Sequence, residues 1–190
     1  MPTFAAVVGS VTPPGRLNQA VGIAVEIVGA APGWSASLVN LADYRISFAD
    51  GRALDRLGDD SERVVGQIAS ADAVLLASPV YRGSFTGALK NLLDLTPVEA
   101  LRGKPVGIVA MGATLHHYLG VDWQLRAVLA WFGALALPTS VYLDSGHFKD
   151  GKLADASARA ALSDLVAGLL ALARAPRDTL GPPPLASGRA

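Results

Sequence analysis

Three short segments hold the residue types that could do chemistry. The first, residues 9–18 (GSVTPPGRLN), combines hydroxyls at Ser10 and Thr12, a guanidinium at Arg16 and an amide at Asn18. It lies between a short apolar run and a stretch of helical spacing. A loop of that kind binds phosphate through free backbone N–H groups and the positive end of the helix dipole. It lacks the GKS/T ending of a Walker loop and is no dinucleotide GxGxxG. The plainer reading is a Pro-Gly turn with Asn18 as helix cap. The second segment, residues 78–86 (SPVYRGSFT), offers backbone amides, one aromatic ring at Tyr81 and one cation at Arg82. Those groups suit a flat ligand with polar edges; the plainer reading is a tight turn with Tyr81 on the surface. The third is Met111, Gly112, Ala113 and Thr114. Glycine at 112 lets backbone approach a ring edge with no Cβ in the way.

These segments need elements that bring them together. Apolar runs at residues 4–8, 37–40, 73–77, 106–110 and 140–143 are short enough for buried strands. Between and after them, helical spacing covers residues 18–28, 61–68, 87–95, 119–132 and 155–174. Residues 42–60 are charged and glycine-containing with no steady period, so they read as loop. Five strands alternating with about five helices predict a three-layer α/β sandwich with a parallel sheet. With the phosphate loop directly after the first strand, the strand order expected is 2-1-3-4-5, and the ligand crevice lies between strands one and three.

The bulk properties narrow the partners. The 190 residues carry sixteen basic and sixteen acidic side chains, a balance that argues against a nucleic-acid surface or a polybasic membrane patch. No cysteine is present, which excludes disulfides, thiolate metal sites and thiol nucleophiles. The first residues show no basic segment of a secretory signal, so the expected compartment is the cytoplasm. The longest uncharged run, residues 127–143, is interrupted by Gly133 and Pro138 and falls short of the ~20 residues of a membrane span. It reads as a helix end, a turn and a strand.

Taken together, these residues are similar to those of the NAD(P)H-dependent FMN reductases of flavodoxin-like fold. That family includes the small reductases that supply reduced flavin to two-component monooxygenases. The resemblance is carried by Gly9 and Ser10 with Arg16, by SPVYRG at 78–83 followed by GALKNLLDL at 87–95, and by LRGKP at 101–105. It continues through MGAT at 111–114, His117, Val121 and Asp122, and runs from Phe4 to about Leu143. The resemblance implies one flavodoxin-like FMN-binding domain over residues 1–175; residues 176–190, with three consecutive prolines, read from their composition as a proline-rich tail that cannot order itself alone. FMN phosphate would then sit on Ser10, Thr12, Arg16, Leu17 and Asn18. The isoalloxazine ring would lie along Pro79, Val80, Tyr81, Arg82 and Gly83, with Gly112, Ala113 and Thr114 at its far edge. NADPH or NADH is the implied co-substrate, and hydride passes directly to the flavin, so no general acid or base is expected. Arg82 and the backbone amides of residues 112–114 are the candidates for an electrostatic role, and contact with the nicotinamide nucleotide is the alternative role for Arg82. Members of the family are dimers or tetramers, and a flavin-dependent monooxygenase is the implied partner.

Two departures from the family pattern are visible. Where its first loop commonly reads GSPR, Val11 and Thr12 stand in place of Pro and Arg. Where the strand-four loop is often Gly-Gly, the second residue is Ala113. Both favour release of FMN over retention. The competing functions are a quinone or azo reductase that keeps its FMN, and a flavodoxin-type electron carrier with no activity of its own. Flavodoxins are strongly acidic, which the neutral charge balance does not match. His116, His117, Asp122 and His147 match no metal-ligand spacing and point to no metal site. Ser84, Asp94 and His147 do not form a hydrolase triad, because Ser84 is not at the centre of a GxSxG elbow. Trp123, Trp131 and Phe132 exceed what one helix face needs, so at least one is expected at a subunit interface.

Overall fold

The computed structural model describes residues 1–175; the proline-rich tail expected over 176–190 lies outside the described residues. Strands β1 (Thr3–Val8), β2 (Ser35–Asn40), β3 (Ala73–Pro79) and β4 (Pro105–Met111) are all parallel. The sheet runs β2-β1-β3-β4, and the fifth place is shared by two short strands on β4, β5 (Leu135–Ala136) and β6 (Val141–Leu143). The order is the one expected, with the last strand split in two. The split has a cause at Pro138, which has no N–H to donate to the ladder. Arg126 bridges the gap, donating to Leu137 O (2.7 Å) and Pro138 O (3.0 Å) while its Nε holds Asp122 at 2.9 Å. Burial opposes charge on Asp122, but hydrogen bonds from Arg126 and Ser140 outweigh it and keep the carboxyl below its ordinary range.

β3 and β4 are buried along nearly their whole length, as expected of central strands covered on both faces. On one face lie helices α1 (Arg16–Gly29) and α5 (Ala156–Arg174); on the other lie α2 (Ser61–Ser70), α3 (Gly87–Leu95) and α4 (Tyr118–Phe132). By length and composition α5 is apolar enough to cross a membrane. Its apolar stripe, Leu162, Val166 and Leu169, is instead fully buried in the core beside Val109 and Leu143.

Local signals explain most boundaries. Asp155 caps α5 by accepting from Ala158 N, and α4 ends at Gly133, whose φ of 66° is the left-handed conformation that stops a helix. Residues 42–60 form two 3-10 turns in an otherwise irregular loop. A two-stranded hairpin, β7 (Phe148–Lys149) with β8 (Lys152–Leu153), was not legible in the sequence, being only two residues on each side. Phe132 is buried, whereas Trp123 and Trp131 are 70% and 62% exposed, so the aromatic surplus of α4 divides between core and surface.

Candidate functional site

β1, β2 and β3 end side by side, with Val8 in register with both Asn40 and Ala77. The loops that follow them therefore share one edge of the sheet. After β1 the chain turns through two prolines and starts α1 at Arg16, two residues before the position expected from periodicity. Gly15 is the residue before the helix, and no side chain among the described residues caps it. Asn18 is inside the first turn rather than at the cap. The backbone N–H groups of Arg16, Leu17 and Asn18 have no partner among the described residues. An uncapped helix start with three free donors has the geometry that can accept an anion. Ser10 is buried and shares a 2.8 Å hydrogen bond with the Thr12 hydroxyl, while Thr12 N–H donates to Ser10 Oγ at 3.3 Å. These bonds curl the loop around a cavity of about 320 Å³.

The same cavity is bounded on its far side by Pro79, Tyr81 and Met111. The phosphate-type loop and the aromatic segment are thus two walls of one crevice. Tyr81 and Ser84 exchange both backbone hydrogen bonds, at 2.8 and 3.1 Å, which makes Arg82 and Gly83 the tip of a two-residue turn. Both tip residues have positive φ, 53° and 77°, the geometry of a primed hairpin turn. Arg82 adopts it without being glycine, a strained choice that leaves its side chain exposed at the rim. The turn rests on α4: a Cβ at Gly120 would lie 2.9 Å from Gly83 O, so only glycine permits the contact.

Cross-links fix the wall. Thr86 caps α3 by accepting from Leu89 N (3.1 Å) and donates its hydroxyl to Gly9 O, tying the start of α3 to the end of β1. Thr86 N–H in turn donates to Ser78 Oγ at 3.0 Å. Val80 N–H donates to Met111 O at 2.8 Å, and Gly112 N–H to Leu143 O at 2.9 Å, so the loop after β4 is carried along.

Of the residues expected at the site, Ser10, Thr12, Arg16, Leu17, Asn18, Pro79 and Tyr81 line this cavity. Val80, Arg82 and again Tyr81 border an adjoining hollow of about 340 Å³. Gly83, Gly112, Ala113 and Thr114 line neither; they stand behind as the turn tip and the next loop. Asn40 was missed. It is buried at the end of β2, its Oδ1 takes a 3.4 Å bond from Ala42 N–H, and it lines the cavity. A polar residue closing a strand at the same sheet edge as Ser10 and Ser78 was the available signal. Asp94 is engaged by Lys90 and His147 by Asp144, so neither is turned to the serine at 84.

The fit to a flavin mononucleotide can be judged on these groups. Free helix amides, hydroxyls and Arg16 suit a phosphate, and the rigid wall at Tyr81 suits a flat ring. A parallel sheet carrying this pair of walls at its carboxyl edge defines a flavodoxin-like mononucleotide-binding protein. A family model described as NADPH-dependent FMN reductase matches residues 2–148. The chain belongs to that family, and it is an oxidoreductase that uses FMN with NAD(P)H. An NAD(P)H-dependent FAD/FMN reductase of Geobacillus thermodenitrificans is 37% identical over 144 residues, covering 75% of this chain and 78% of the relative. An NADPH-type FMN reductase of Pseudomonas aeruginosa is 37% identical over 116 residues, covering 61% of this chain and 62% of the relative. Among solved structures, the apo form of an NADH:FMN oxidoreductase, EmoB, superposes with a TM-score of 0.75 at 25% identity, covering 93% of this chain and 92% of that one.

Proposed function

We propose that FMN binds in the crevice between residues 9–18 and 79–83, takes hydride from NADPH or NADH there, and leaves in reduced form for a partner monooxygenase. The observation that carries this reading is the uncapped start of α1 opening into the cavity bounded by Pro79 and Tyr81. Ser10, Thr12, Arg16 and the amides of residues 16–18 hold the phosphate. Tyr81 and its neighbours set the plane of the ring and exclude water from one side. When bound, the flavin supplies the hydride-accepting ring, so the side chains need only orient it and bring the nicotinamide close. Arg82, at the rim, favours the negative charge that the ring gains. Amides of Ala113 and Thr114 donate to its polar edge.

Release rather than retention is supported by Thr12, which brings a hydroxyl where an arginine would add a second cation, and by the exposure of the loop around it. The unit that does this is residues 1–175. Leu119, Trp123 and Trp131 on α4 present a surface for self-association into a dimer or tetramer, and the enzyme works in the cytoplasm.

One assay tests the reading. Purified protein is mixed with NADPH or NADH, and oxidation is followed at the nicotinamide absorbance band with and without free FMN. Oxidation that scales with added FMN is expected. Oxidation that needs only a quinone, with flavin carried on the protein, points to the FMN-retaining reductase, and no oxidation under either condition points to a carrier.

A further inference from the structure

The loop after β4 is shaped from β6. Gly112 has no room for a side chain: a Cβ there would lie 2.0 Å from Tyr142 Oη and 3.0 Å from Tyr142 Cζ, with His117 Cβ 3.3 Å away. Tyr142, in the middle of β6 and half-buried, donates its hydroxyl to Thr114 O. Tyr118 meets the Tyr142 ring edge-on, with centroids 6.5 Å apart and planes at 80°. Burial and then the nearby Asp144 push the phenol pKa up, so the hydroxyl stays a donor through the neutral range. With Gly112 N–H on Leu143 O and Thr114 O on the phenol, both ends of the loop are pinned. The N–H groups of Ala113 and Thr114, between those pins, have no partner among the described residues.

We infer that Tyr142 is a positioning residue for the flavin ring: its hydroxyl holds residues 112–114 in the one conformation that keeps the Ala113 and Thr114 amides available to the ring's polar edge. Gly112 is required because that hydroxyl fills the space a side chain would occupy. Donors held in place before the ligand arrives need no ordering when it binds, which is where the affinity gain comes from. The inference rests on the FMN site proposed above and adds to it a residue that lines neither hollow.

The test is a double-mutant cycle on flavin affinity, read by quenching of flavin fluorescence with FMN and with riboflavin. Y142F removes only the hydroxyl. It is expected to weaken both flavins about fivefold, the size of one lost hydrogen bond, with the FMN-to-riboflavin ratio unchanged because the phosphate is held elsewhere. G112A is expected to weaken both by about tenfold or more in the parent, and by clearly less in the Y142F background, because the nearest clashing atom is gone. A urea midpoint for Y142F close to the parent's shows that the fold is kept. Y142F binding both flavins within twofold of the parent, or two substitutions whose effects simply multiply, overturns the inference. Failure of the parent protein to quench either flavin overturns the site reading itself, and is seen before any variant is compared.

Discussion

The two walls of the crevice are built on opposite plans. The wall at residues 9–18 keeps the donors of its helix start free: among the described residues no side chain caps α1, and the bonds within the loop are the Ser10–Thr12 pair and Thr12 N–H on Ser10. The wall at residues 78–86 spends its donors internally, on Tyr81–Ser84, Val80–Met111, Thr86–Gly9 and Ser78–Thr86. Under the proposed FMN reading, the difference follows from what each wall would recognise. A phosphate is bound by hydrogen bonds, so amides left unpaired in the free protein are the binding groups. A ring face offers no such partners and is recognised by shape, so the protein gains from making the wall stiff.

The largest effect should come from cutting the joint between the walls. Thr86→Val keeps the volume but leaves Gly9 O and Leu89 N–H without their buried partner. A lost helix cap and an unsatisfied buried carbonyl together cost about 3 kcal/mol, to be read as a lowered urea midpoint, with Thr86→Ser close to wild type. A Thr86→Val variant as stable as the parent would mean that the walls are held together by packing alone. Next comes Arg16→Ala, which tests the open wall. FMN affinity should fall roughly 30-fold, the ~2 kcal/mol of a charge-assisted hydrogen bond, while riboflavin affinity stays put. Equal losses for both flavins would break the division of labour. Gly120→Ala tests the stiff wall in the reverse sense. Its methyl group would meet Gly83 O at 2.9 Å, backbone that cannot turn aside. Both flavins should bind about tenfold more weakly, with the preference for FMN unchanged.

The contrast between the walls also marks what the sequence disclosed. Strand order and crevice location were readable because β3 and β4 are unbroken apolar runs and the loops follow them directly. That Ser10, Arg16, Pro79 and Tyr81 line one cavity was readable because they lie in or at the start of the loops that follow adjacent strands. The bracing was not. Gly120 against Gly83 and Tyr142 against Gly112 join residues 37 and 30 positions apart, and nothing in the spacing of a helix glycine or a strand tyrosine marks it as a support. The break of the last strand at Pro138 was half legible: the proline was visible, but Arg126, which spans it, comes from the preceding helix.

The smallest predicted effect separates both walls from the loop beside them. The braces at Gly120 and Tyr142 are neutral, whereas the loop at residues 42–60 is held by carboxylates. Asp59 accepts from Ser47 N–H (2.6 Å) and Ser61 N–H (2.8 Å), and Asp60 from Arg45 N–H (2.9 Å). The hydrogen bonds from Ser47 and then Ser61 hold the Asp59 carboxyl far below its ordinary value of 3.8. A carboxyl whose pKa is depressed by folding stabilises the fold above its unfolded value, and that contribution fades as pH falls below it toward the folded value. Asp59→Asn should therefore cost somewhat under about 1 kcal/mol at pH 7 and at pH 5, the figure being small because solvent reaches the group. The gap from the parent, measured by urea unfolding, should narrow at pH 3. FMN affinity should be little changed by the substitution at pH 7, because Asp59 braces neither wall. A gap as wide at pH 3 as at pH 7 would mean that the aspartate acts through its shape rather than its charge. A large loss of FMN binding would place this loop among the walls after all.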